Sequence, residues 1–149
     1  MANWCNVYMT LELHEKSAKL FHAFVETELD MAANIDRGWD FVPKKKALFN
    51  GNSSLNGNIV IIQGEVKWEL EMENFRWLVR KWSRFCKIIS AECYIEEWGN
   101  CVCGKHLFSN SKFTSKSIPH NHKIWDKLDS CEDECLSDML EELLETMEE

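Results

Sequence analysis

The chain has 149 residues and a formal net charge of −8, and 45% of it is hydrophobic, with eight Phe and seven Trp. That is enough apolar bulk for one folded core and too little length for two, and it excludes an intrinsically disordered chain. No run approaches the roughly 20 apolar residues that span a bilayer, and Met1 to Asn6 has neither the basic segment nor the apolar stretch of a secretion signal. A soluble cytoplasmic protein without membrane contact is expected.

Ten of the 25 acidic residues lie from Asp129 to Glu149, where there is no Lys or Arg; Met1 to Leu128 holds all 17 basic residues against the other 15 acidic ones. The acidity therefore belongs to one terminal element. A chain of this sign repels phosphates, which disfavours general nucleic-acid binding. The seven cysteines, Cys5, Cys86, Cys93, Cys101, Cys103, Cys131 and Cys135, are odd in number and mostly stand at apolar positions, so reduced thiols are expected.

In chain order, Cys5, Val7, Met9, Leu11 and Leu13 alternate with Asn6, Tyr8, Thr10 and Glu12, the period of a strand with one buried face. From His14 to Ala33, Ala18, Leu20, Phe21, Phe24, Val25 and Leu29 recur at three and four, predicting an amphipathic helix. Residues 34–58 contain Gly38, Pro43, Lys44 to Lys46 and a run of Asn, Gly and Ser, and read as a long exposed loop. Ile59 to Met72 reads as two strands with a tight turn at Gln63-Gly64, or as one bulged strand. Phe75, Leu78, Val79, Trp82 and Cys86 predict a second helix, with Arg76, Arg80, Lys81 and Arg84 on its outer face.

Ile89 to Ile95 is the next strand, followed by a turn and a short strand around Cys101 and Cys103. Strand, helix, strands, helix, strand, strand suggests a mainly antiparallel sheet with two helices on one face, an α+β fold. Residues 109–122 read as a linker between a domain at 1–108 and an acidic amphipathic helix at 123–149. Ile124, Leu128, Cys131, Cys135, Met139 and Leu143 form the expected apolar stripe of that helix, flanked by Trp125, Leu136, Leu140 and Met147.

Asn3-Trp4-Cys5-Asn6, together with Tyr94-Ile95-Glu96-Glu97-Trp98-Gly99 and Cys101-Val102-Cys103-Gly104, resembles a group of small phage and plasmid proteins with ferredoxin-like YubB-type domains, over roughly residues 1–105. The resemblance implies a ferredoxin-like topology and a phage or mobile-element source. It transfers no catalytic residues.

Cys101, Cys103, His106, His120, His122, Cys131 and Cys135 offer the thiolates and imidazoles that zinc favours. Their apolar periodicity favours structural packing instead, since a free cysteine is a good small core residue. No cofactor is therefore expected, with zinc the alternative. His14 and His22 have no acidic partner at a telling distance, and Glu96 and Glu97 read as a solvated turn. No nucleophile, base and orienting group assemble from local spacing, so an enzyme is not expected.

The acidic helix is the main asymmetry. Docking on the body or homodimerisation is its plainer use. The sharper one is that its carboxylates imitate phosphates and occupy a basic groove on a nucleic-acid-handling host protein. The expected partner-binding residues are Glu132, Asp133, Glu134, Asp138, Glu141, Glu142 and Glu145, with the loop from Lys44 to Asn56 second. The expected function is a phage-type inhibitor of a host defence complex such as a CRISPR effector. The alternatives are a zinc-stapled or oligomeric structural module, or a nucleic-acid binder using the basic face of the second helix with Trp77 for stacking.

Overall fold

A computed structural model describes residues 4–34, 38–42, 46–127 and 133–147. Strand β1 (Trp4–Leu13) buries its odd-numbered residues, as its alternation predicts. Helix α1 (Glu15–Asn34) buries Ala18, Phe21, Val25 and Leu29. Strands β2 (Trp39–Val42), β3 (Lys46–Asn56) and β4 (Ile59–Lys67) precede helix α2 (Met72–Trp82), which buries Phe75, Leu78, Val79 and Trp82. The Glu71 N–H donates to Asn74 Oδ1 at 3.0 Å, closing the start of α2 with half of a capping box. Strands β5 (Ile88–Glu97), β6 (Val102–Ser109) and β7 (Lys112–Ser117) follow, then a 3-10 turn at Lys123–Lys127 and helix α3 (Asp133–Thr146).

The strands form one seven-stranded antiparallel sheet in the order β2-β3-β4-β1-β5-β6-β7. The fold is α+β, and the sheet is larger than the ferredoxin-like expectation. Helices α1 and α2 cover one face, where Cys5, Met9 and Leu11 of β1 meet Phe21, Val25, Phe75 and Trp82 in the main core. Phe21 and Trp82 pack edge to face with centroids 5.1 Å apart, so the two helices touch through rings. On the opposite face, Leu136, Leu140 and Leu144 of α3 are fully buried in a second core with Cys103, Ile118, Ile124 and Trp125.

Three expectations are corrected. The loop at 34–58 contains β2 and β3: β3 pairs with β4 from Phe49↔Glu65 to Asn56↔Ile59, with a bulge between Phe49 and Asn52, and the hairpin turns at Gly57 with φ +64°. Asn52, Ser53, Ser54 and Asn56 are all in the ladder yet mostly exposed, so composition alone concealed the strand. The linker at 109–122 contains β7, which pairs with β6 through a two-residue turn in which Asn110 and Ser111 both have positive φ. The helix expected over 123–149 is a 3-10 turn and then α3, and its fully buried stripe is Leu136, Leu140 and Leu144, not Met139 and Leu143, which are only partly buried. Leu128, Cys131 and the side chain of Cys135 lie outside the described residues.

Candidate functional site: an acidic cleft

Because β1 sits in the middle of the sheet, its even-numbered residues form the floor of the face opposite α1 and α2. Tyr8 lies beside Gln63 on β4 and Tyr94 on β5; Gln63 continues to Asn52 on β3, and Tyr94 to Lys105 on β6. A polar and aromatic row thus crosses five strands. Helix α3 covers only the β5–β6 side of this face. The uncovered part forms a cleft of about 810 Å3, floored by Asn6, Tyr8, Gln63 and Tyr94 and walled by α3.

Three contacts hold α3 as that wall. Leu136, Leu140 and Leu144, spaced four apart on one stripe, are buried against the sheet. Ser137 Oγ donates to Glu96 Oε2 at 3.1 Å. Lys105 Nζ donates to Glu145 Oε1 at 2.7 Å and lies 2.7 Å from Glu92 Oε1, so one mostly buried ammonium ties helix to sheet. Burial pulls the Lys105 pKa down, but its bonds to Glu145 and Glu92 outweigh that, and the net shift is upward. Glu145 is correspondingly held below the usual carboxylate range by Lys105.

Asp138, Glu141, Glu142 and Glu145 all line the cleft, as do Glu65 and Glu92, which sequence reasoning did not single out. Among the described lining residues Lys105 is the one cation. Residue Glu132 and the side chains of Asp133 and Glu134 lie outside the described residues. Of the second-ranked contact segment, Lys44 and Lys45 also lie outside them, while Asn50 and Asn52 reach the rim of the cleft. The floor residues were missed because a polar face of a strand reads as solvent; Tyr8 and Tyr94 at matching places in their alternations were the available signal. The apolar stripe that a homodimer through α3 would use is packed on the body.

Glu96 and Glu97 are buried, which corrects the solvated-turn reading. Tyr94 Oη donates to Glu96 Oε1 at 3.1 Å, and the N–H groups of Gly99 and Asn100 donate to Glu97 at 2.6 and 2.8 Å. Glu97 thus closes the turn into β6, as an acidic side chain satisfying backbone donors. His22 does have an acidic partner: its Nε2 lies 2.9 Å from Glu26, and its Nδ1 2.8 Å from Ser53 Oγ. This chain of contacts fastens α1 to β3.

The candidate zinc ligands are divided. Cys103 packs on the α3 side, 3.4 Å from Tyr94 Oη, whereas His106 points to the other face, its Nε2 donating to the Leu70 carbonyl at 2.8 Å and its ring stacked on Phe75. Among the described residues no group of three or more metal-ligating side chains converges. Burial pushes the thiols of Cys5 and Cys103 up to about 12 and that of Cys86 to about 11. They are held as protonated core residues, the opposite of an activated nucleophile.

On α2 part of the basic face lies over rings, while Arg80, and Arg84 just beyond the helix, stay exposed. The guanidinium carbons of Arg76 and Arg80 lie 5.4 and 5.9 Å from the centre of Phe113 on β7, and Lys81 Nζ lies 5.0 Å from Trp77. Among the described residues no helix is long and apolar enough to cross a membrane. Comparison with family models, curated proteins and solved structures gave no match.

Proposed function

We propose that the protein is a non-enzymatic binding protein that seats a basic segment of a partner in the cleft between α3 and the open sheet face. The carrying observation is that four carboxylates of α3 and two of the sheet surround one cleft whose floor bears Tyr8 and Tyr94. Carboxylates fixed on packed elements suit the planar fork of an arginine, and tyrosine faces suit stacking by its guanidinium. Such a site discriminates by charge and steers a cationic partner inward.

Nucleic-acid-handling proteins carry arginine and lysine along their grooves, so the reading extends to an inhibitor that stands in for phosphates. In its most specific form the protein is a phage-type, anti-CRISPR-like inhibitor acting in the cytoplasm of its host. The resemblance to YubB-type proteins supports that source. The inner strand order β3-β4-β1-β5, with α1 and α2 on one face, supports a ferredoxin-like unit to which β2, β6 and β7 have been added.

The test is the triple variant Asp138→Asn, Glu141→Gln, Glu142→Gln, which spares Glu145 and its contact with Lys105. In bacteria whose CRISPR system targets a phage, the wild-type chain restores plaque formation and the triple variant, expressed equally, does not. Full restoration by the triple variant overturns the proposed contact surface.

A further inference from the structure

A second concave surface lies on the far side of the molecule, in the layer formed by α1 and α2. Its lining includes Leu20, Phe21 and Phe24 of α1 and Phe85 just beyond α2, and it encloses about 390 Å3. Leu20 is 75% exposed, Phe85 55% and Phe24 42%, an uncovered apolar cluster on a molecule with a full core elsewhere. The rings are held apart rather than collapsed: Phe85 packs edge to face on Phe24 at 5.6 Å and leans on Phe21 at 6.3 Å, while Phe21 is anchored on Trp82. Phe24 and Leu20 are one helical turn apart, and exposed Met31 continues their line toward the end of α1.

The charge around this groove is uneven. Lys16 and Lys19 precede Leu20 within a turn, and Arg84 and Lys87 bracket Phe85 and Cys86; all four are exposed, none is in an ion pair among the described residues, and they outnumber the neighbouring carboxylate of Glu15. At the other end Glu28 lies one turn beyond Phe24. An apolar trough with cations gathered at one end matches the helix-in-groove mode of recognition, in which anchors four residues apart enter the trough and carboxylates face the cations.

We infer that the groove between α1 and the segment after α2 docks an acidic amphipathic helix of a partner protein. Nucleic acid fits less well, because the lining carries no cation along its length to meet a phosphate backbone. This surface and the acidic cleft lie on opposite faces of the sheet and carry opposite charge, so each can be disabled without touching the other.

The test uses a fluorescein-labelled helical peptide with Leu at every fourth position and Glu on the remaining faces, alongside the same peptide with Lys for Glu. Fluorescence anisotropy with the full chain shows saturable binding of the Glu peptide, weakening as salt rises, and none of the Lys peptide. Leu20→Glu and the pair Arg84→Glu, Lys87→Glu, all exposed positions whose folding circular dichroism verifies, each weaken binding at least tenfold. Amide chemical-shift changes map to residues 16–24 and 84–87. Equal binding of both peptides, undiminished binding by either variant, or shifts confined to the cleft side overturns the inference. Binding to anionic vesicles or single-stranded DNA at the same residues in place of the peptide overturns it equally, as does dimerisation of the chain that Leu20→Glu abolishes.

Discussion

The Lys105 ammonium lies 2.7 Å from the Glu145 carboxylate and the same distance from that of Glu92, so a single side chain on β6 joins helix α3 to the sheet it partly covers. Replacing it with Met keeps the apolar stem and removes the charge. Lys105→Met is expected to cost about 0.5–1 kcal/mol, the range of partly solvated ion pairs, because water and salt screen both carboxylates. Amide hydrogen exchange checks it: protection falls along α3 while that of β1, β4 and β5 is kept, and the difference from wild type shrinks at high salt.

Leu140 has no solvent exposure and stands at the middle of the buried stripe of α3. Leu140→Ala is expected to cost about 2–5 kcal/mol, combining lost transfer energy with the cavity left behind. Because the second core is distinct from the one under α1 and α2, the loss falls on α3 first. Urea unfolding followed separately by hydrogen exchange in α3 and in β1 shows α3 melting earlier in the variant than in the wild type.

Gly64 on β4 approaches Leu48 so closely that a Cβ placed on it would stand 2.5 Å from Leu48 Cγ. Leu48 is 2% exposed and has little room to yield. Gly64→Ala is expected to destabilise by about 1–3 kcal/mol through overpacking. In a double-mutant cycle with Leu48→Ala the two costs are less than additive, because the second change makes the space the first requires.

His106 donates Nε2–H to the Leu70 carbonyl at 2.8 Å, and in the neutral ring its Nδ1 accepts from the Ser115 hydroxyl at 3.0 Å. Burial lowers its pKa below the ordinary 6.5, against the opposing pull of the Leu70 carbonyl. The unfolded chain therefore takes up a proton near 6.5 that the folded one refuses, and stability contributed by this group is full above that pH and declines as pH falls below it. Urea midpoints measured from about pH 8 down to about pH 5 show a fall in the wild type that is shallower in His106→Gln.

Native-state alkylation separates the thiols by environment. Cys101 is half-exposed, whereas Cys5, Cys93 and Cys103 are fully buried with pKa values raised by burial. Among these four, iodoacetamide is expected to modify Cys101 first, and the others at a rate set by unfolding, which peptide mass spectrometry resolves with time.

The α+β class, both core helices and the strands with clean alternation were legible because one-sided burial writes its period into the residues, as in Cys5 to Leu13 and in Phe75 to Trp82. Strands β3 and β7 were not, because each is polar on much of its surface and takes its ladder from a neighbour already in place; β2, with four residues, is too short to show a period. Asn52 to Asn56 and Lys112 to Ser117 are strands by pairing, not by propensity. The acidic helix was legible as an element, and four of its carboxylates were named before their setting was known. The cleft itself was hidden, since the pairing of Tyr8 with Tyr94 and Gln63 joins residues distant in the chain.

The central position of β1 also bears on how the chain reaches this shape. Met9 pairs with Ile62 on one side and Cys93 on the other, so the earliest described strand is completed by partners made much later. Until β5 emerges, Val7, Met9 and Leu11 have only part of their shelter. Such long-range closure places the protein among slower-folding topologies and leaves apolar segments of its nascent form uncovered until the last central strand arrives.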